Sequence, residues 1–162
     1  MPMRRGRQRG FTLIEVLIAL LVLAIGLLGM ASLTMTSLQS NQSAYLRGQA
    51  SLLAGDIVER MRGNVDEALL TDSPYLVSLS AGDTLTDPDC KTTTAGCSPS
   101  DQAAQDLHDW WTALQTGIPG ASATISRSNE NEFQVVISWS ESDAQQRSTN
   151  TQSRDFTLRV NL

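Results

Sequence analysis

One histidine (His108), one lysine (Lys91) and two cysteines (Cys90 and Cys97) are all that a chain of 162 residues offers to most kinds of catalysis. A lone histidine excludes a paired-histidine metal site, and there is no Ser-x-x-Lys arrangement and no Gly-rich phosphate loop. Asp83, Asp87 and Asp89 match no full calcium loop, so they read as a solvated acidic loop. Basic residues are scarce as well. Four of the twelve (Arg4, Arg5, Arg7 and Arg9) lie in the first nine positions, and the chain after residue 10 carries eight bases against seventeen acids, a formal charge of −9. So acidic a body has no basic face for nucleic acid or anionic lipid. No cofactor, catalytic or metal-binding residue is assigned. Carboxylates alone can still do acid–base work, so an anchored enzyme stays as the competing class.

What the chain does have is one long apolar run. From Phe11 to Leu46 the single charged residue is Glu15, and residues 16–33 are uncharged throughout. A bilayer core of about 30 Å needs about 20 helical residues, so this segment is long enough to span it. The arginines ahead of it predict a cytoplasmic N-terminus and an outward-facing body. That orientation puts Cys90 and Cys97 in an oxidising compartment and favours a disulfide closing a short loop. A cleavable secretory signal would also fit, with Gly29-Met30-Ala31 as a loose cleavage site, and so would a plain anchor. Neither explains Glu15, because a carboxylate inside an apolar run is costly in a membrane unless it has a partner.

Gly10-Phe11-Thr12-Leu13-Ile14-Glu15, behind a short basic leader, resembles the N-terminal signal of type IV pilins and pseudopilins. The resemblance implies that prepilin peptidase cuts between Gly10 and Phe11 and N-methylates Phe11. Residues 1–10 are then a leader, 11–38 a transmembrane and filament-core helix, and 39–162 a periplasmic head. Glu15 is implied to pair with the N-terminal amine of a neighbouring subunit and so to set register. Two desolvated opposite charges attract strongly at low dielectric, while either alone is costly. Gly26 and Gly29 suit close packing of helices in such a core.

Beyond the anchor, Leu46, Ala50, Leu53, Ile57 and Met61 recur at helical spacing, with Leu52 and Val58 widening the stripe, and Gly63-Asn64 is a stop signal. Asp56 and Arg60 form an i,i+4 surface pair. Residues 64–100 are irregular apart from a short apolar element, Tyr75 to Leu79. A second helix starts at Ser98-Pro99 with Asp101 near its positive end, buries Ala103, Leu107, Trp110, Trp111 and Leu114, and ends at Gly117. His108 on that helix reads as a surface residue. The last forty residues alternate with period two in three segments, an antiparallel meander connected by Ser128–Asn131 and by residues 142–153. The fold class is α+β, a long helix packed on a small antiparallel sheet with a short second helix.

Met30-Ala31-Ser32-Leu33, the Glu59 to Asn64 helix end, the Trp110 to Gly120 stretch and Val136-Ile137-Ser138-Trp139 are similar to minor pilins of the PilV type. Such a subunit joins other minor pilins and the major pilin to start assembly of a fibre for adhesion and twitching motility. A minor pseudopilin of type II secretion is the alternative, built on the same anchor and fold.

Overall fold

The computed structural model describes residues 10–92, 96–129, 131–142 and 151–162. Two compact units partition the chain at Ser40/Asn41. In the first, the described part is helical from Leu13 on, and every residue from 10 to 38 is exposed. The helix α1 is unbroken from Leu13 to Gly63 and enters the second unit at Asn41.

The second unit has the predicted α+β architecture. After α1 come a one-turn helix α2 (Val65–Ala68), a three-residue strand β1 (Val77–Leu79), the helix α3 (Pro99–Gly117), and strands β2 (Ser122–Arg127), β3 (Glu132–Ser142) and β4 (Thr151–Asn161). The strands form one antiparallel sheet in chain order, β1-β2-β3-β4. The short apolar element thus adds a fourth strand to the expected three, pairing Val77 with Ile125 and Leu79 with Ala123.

The core forms where three apolar faces meet. Ala50, Ala54, Ile57, Val58 and Met61 come from α1; Ala103, Leu107, Trp110, Trp111 and Leu114 from α3; Ala123, Ile125, Phe133, Val135, Ile137 and Trp139 from β2 and β3. The period-two pattern holds in β4 too, but Phe156, Leu158, Val160 and Leu162 are only half-buried there. As an edge strand β4 has a neighbour on one side only, so its inward face is partly uncovered. Two expectations are corrected. Leu52 does not widen the core stripe; it is 70% exposed, and Ala54 takes the buried position instead. Gly63-Asn64 ends α1 but does not begin a loop, because α2 follows at once.

The start of α3 follows from its first residues. Ser98 has extended backbone and accepts a hydrogen bond from the Asp101 amide, and Pro99 occupies the first turn, where no amide is needed. Ahead of it, Cys90 and Cys97 are joined in a disulfide with their Cα atoms 5.6 Å apart. The loop is held against α3 at two points. The Cys90 amide donates to Gln105 Oε1 (3.1 Å) and Lys91 Nζ pairs with Asp109 Oδ2 (2.8 Å). Burial would raise the Asp109 carboxyl, but hydrogen bonds from Lys91 and Gln105 outweigh it and hold the group below the usual carboxylate range. Cross-linking so short a loop removes chain entropy worth about 2–3 kcal/mol from the unfolded state. A double Cys90→Ser, Cys97→Ser variant is expected to lose about that much in urea unfolding, and reduction of the natural chain should lose the same.

Candidate functional site

Gly10, Phe11 and Thr12 lie ahead of α1. The Thr12 carbonyl accepts from the amides of Glu15 (3.1 Å) and Val16 (3.3 Å), which closes the first helical turn. Glu15 therefore sits in that turn, where its carboxylate meets the positive end of the helix dipole. It follows Phe11 by four residues, so the two share a side of the helix with Val16, Ala19, Leu20 and Leu23. The four arginines of the basic leader lie outside the described residues.

The surface that Glu15 heads is apolar and bare. Phe11 is 83% exposed, and no residue in the most apolar window of α1 is buried within the chain. By length and composition this helix suffices to cross a membrane. An apolar surface of that extent does not stay in water; it must be covered by lipid or by other helices. The site is thus an uncovered helix carrying one carboxylate near its start, an arrangement suited to docking and not to catalysis.

Inside the head, the structure brings together a polar cluster that spacing along the chain does not reveal. Asp106 is 6% exposed and accepts from the Tyr75 hydroxyl (2.7 Å) and from Gln102 Nε2 (3.0 Å), with Arg60 Nη1 at 3.6 Å. Arg60 also pairs with Asp56 (3.0 Å), the contact expected from sequence, so it connects the surface pair to the buried carboxylate. Asn64 at the end of α1 donates to the Pro99 carbonyl (2.8 Å) and lies 3.4 Å from the Tyr75 oxygen. The cluster ties α1, α3 and the segment before β1 together. The only hint in the sequence was Arg60 itself, because its partner Asp106 is 46 positions away.

Tyr75 is fully buried, and burial, reinforced by the neighbouring Asp106 carboxylate, pushes its hydroxyl well above the ordinary value of 10.0. Folding therefore favours the protonated phenol. That contribution is whole below about pH 10 and is lost as pH rises above it, with a slope of about 1.4 kcal/mol per pH unit. Urea unfolding of the natural chain should show this alkaline loss and the Tyr75→Phe variant should not. At neutral pH the variant is expected to be about 1.5–3 kcal/mol less stable, since a charged acceptor loses its donor.

The remaining candidates resolve simply. Trp110 and Trp111 are core residues and not a ligand platform; their indole Nε1 groups donate to the carbonyls of Leu53 (2.8 Å) and Asp83 (2.7 Å). Asp83 and Asp87 accept from amides of their own loop, those of Ser80 and Asp89. His108 is half-buried, more enclosed than expected, with Nδ1 3.5 Å from Asp109 Oδ1 and 4.0 Å from Asp87 Oδ2. Among the described residues no group of three His, Cys, Asp or Glu side chains is placed to hold a metal ion.

An uncovered apolar helix with an acidic first turn, continuing into a small disulfide-closed α+β head, defines the class: an anchored subunit built to be covered by lipid or by other subunits. Comparison with known families identifies it further. The prokaryotic N-terminal methylation motif matches residues 5–31, and the family described as type IV pilin Tt1218 matches residues 32–108. The two matches adjoin, and the chain belongs to the type IV pilins, a family of structural subunits and not of enzymes. The methylation motif implies processing by prepilin peptidase, and the apolar helix is consistent with anchoring in the inner membrane before assembly. No curated protein and no solved structure matches the chain significantly.

Proposed function

We propose that the chain is a minor subunit of a type IV pilus. It waits in the inner membrane with its N-terminus cytoplasmic and its head periplasmic. Prepilin peptidase cuts between Gly10 and Phe11 and methylates the new amine of Phe11. The subunit then joins other minor pilins and the major pilin to start a fibre that serves adhesion and twitching motility. The observation that carries this reading is the bare apolar face headed by Phe11 and Glu15. Membrane lipid covers such a face before assembly, and neighbouring helices cover it afterwards.

The cut and the carboxylate belong together chemically. Gly10 has no side chain to keep a protease from the backbone. Cutting there leaves an ammonium on Phe11, one helical turn before Glu15, in apolar surroundings. A carboxylate of a neighbouring subunit compensates that charge, so subunits dock in one register and do not slip along an apolar helix. The minor role is supported by the similarity of the helix end at Glu59 to Asn64 and of the Trp110 to Gly120 stretch to PilV-type subunits.

Mass spectrometry of the mature N-terminus, in membrane and sheared-fibre fractions, tests the reading. The expected product starts at N-methylated Phe11, appears in both fractions, and is much scarcer in fibres than the major pilin. A start at Ser32 or an intact Met1 would overturn it. A methylated chain that appears only with a secretion apparatus would move the subunit to the type II pseudopilus.

A further inference from the structure

The edge of a β-sheet presents main-chain donors and acceptors with no strand beside them. Which residues of β4 do so is fixed by one bond. The Leu162 amide donates to the Asn131 carbonyl (3.0 Å), one step beyond the Glu132–Asn161 pair. Residues of an antiparallel strand alternate between bonding to their neighbour and pointing away from it. Arg154, Phe156, Leu158 and Val160 therefore bond to β3, and Ser153, Asp155, Thr157, Arg159 and Asn161 direct their amides and carbonyls outward. Among the described residues nothing pairs with that outward row.

Sheet edges are usually guarded by shortness, proline, lysine or a bulge. β4 has 11 residues in unbroken register with β3, and it contains neither proline nor lysine. Its inward side is unfinished as well. Phe156, Leu158 and Val160 pack against the core yet are only half-buried. Arg154, on the same side, lies 3.6 Å from Glu141, but its buried Nε has no hydrogen-bond acceptor. One further strand would cover the apolar row, take up the outward main-chain groups and bring an acceptor to Arg154.

The edge also says what that strand is. A second copy of β4 does not serve. Antiparallel pairing of two β4 edges needs a two-fold axis through the sheet, which would point the two α1 helices in opposite directions. Subunits anchored in one membrane point them the same way. Parallel pairing would put the two apolar faces on opposite sides of the sheet. The sheet's other edge, β1, has only 3 residues. The strand therefore comes from a different protein. Added antiparallel, as in the rest of the sheet, it places apolar residues opposite Val160, Leu158 and Phe156 and a carboxylate opposite Arg154. On the outward side it places an acid opposite Arg159 and a base opposite Asp155. Read along the partner, the pattern is apolar-acidic-apolar-any-apolar-basic-acidic.

We infer that the free edge of β4 is completed by an antiparallel strand of that pattern from a different subunit of the fibre. This rests on the fibre reading above and names a second means of selecting a neighbour. The N-termini set register along the helices, while the strand admits a subunit by the order of its side chains.

The test uses the full chain in cells carrying the complete assembly machinery, with a photo-crosslinking residue at Thr157 or, as a control, at Thr124. The two lie in one row through Val136 on the outward side of the sheet, but Thr124 has a strand of its own chain on either side. Thr157 adducts from sheared fibres should map to an extended segment of that pattern in another subunit and exceed Thr124 adducts by about tenfold. Adducts that map to a helix, to lipid or to a second β4, or that do not exceed the control, would overturn the inference. Thr157→Pro provides an independent arm, because it removes an outward amide that β3 does not use. Its head should melt within about 5 °C of the natural one, while its incorporation into fibres falls about tenfold or more. Thr157→Val keeps the amide and should incorporate normally. A Thr157→Pro head that melts far lower shows that β3 does use the amide, and the free row is then lost. Natural incorporation of Thr157→Pro alongside normal fibres of the natural chain refutes the added strand alone. A natural chain that is never methylated at Phe11 and never enters fibres removes both readings together.

Discussion

Glu15→Ala chains are expected to enter the membrane and be cut at the usual rate, yet to incorporate into fibres at no more than about a hundredth of the natural level. Insertion depends on the apolar run from Val16 onward, which the substitution does not touch, and removing a carboxylate lowers the cost of burial in lipid. Assembly is different. Once neighbouring helices replace lipid around the N-terminus, the Phe11 ammonium has no counter-charge in the variant. Breaking a desolvated pair by deleting one partner costs about 3–5 kcal/mol, or about a hundredfold to several thousandfold in a docking equilibrium. Glu15→Gln is the informative companion, since it keeps shape and a hydrogen-bond acceptor but no charge. If charge pairing sets register, Gln is nearly as defective as Ala; if shape does, Gln assembles normally. Co-expressing a natural copy and quantifying each form by mass spectrometry in the same sheared fibres makes the comparison internal. Equal incorporation of Glu15→Ala would remove the register role outright.

The parts of this fold that could be read in the sequence are those set by short-range pattern. The spacing of Ala50, Ile57 and Met61 placed one wall of the core, Ser98-Pro99 placed the start of α3, and period-two alternation gave β2, β3 and β4 their inward faces. The misses have a common physical origin. Leu52 is as apolar as Leu53, and spacing allows a stripe wide enough for both; only the position of the sheet and α3 decides which is covered. β4 alternates as cleanly as β3, yet alternation says which way a side chain faces and not whether anything lies over it, so edge and central strands read alike. The Tyr75–Asp106–Arg60 cluster joins groups from three separate segments and leaves no local periodicity. Another long-range set went unseen for the same reason. Glu141 accepts from Trp139 Nε1 (2.8 Å) and Ser43 Oγ (3.2 Å), joining β3 to α1.

The residues to which cleavage and register are assigned under the proposed function were legible for the opposite reason. Gly10, Phe11 and Glu15 lie within six consecutive positions of the matched methylation motif, and on that proposal an enzyme and neighbouring chains read them before any tertiary contact forms. A signal of that kind has to be local.

Trp110→Ala is expected to be the most damaging single truncation in the head, lowering its stability by about 3–5 kcal/mol. Trp110 is the largest of the fully buried side chains, and its indole Nε1 donates to the Leu53 carbonyl at 2.8 Å, so it both fills the core and fastens α3 to α1. Truncation removes the ring's burial, leaves a cavity among residues of two helices and the sheet, and deletes that tie. Domains of this size have about 5–15 kcal/mol in all, so the loss is a large share and lowers the melting midpoint by roughly 10–20 °C. Trp110→Phe separates the two contributions. It keeps most of the aromatic burial and loses the hydrogen bond, with an expected cost of about 1–2 kcal/mol. Leu52→Ala, on the exposed side of α1, should cost no more than about 0.5 kcal/mol of head stability. Unfolding of the full chain in detergent, followed by tryptophan fluorescence and urea titration, ranks the three. The consequence for assembly is distinct from that of Glu15. The anchor and the cleavage motif lie in the other unit, so Trp110→Ala chains should still insert and be methylated at Phe11. Their incorporation should then follow the fraction of folded head and recover at lower temperature, whereas that of Glu15→Ala should stay low at every temperature.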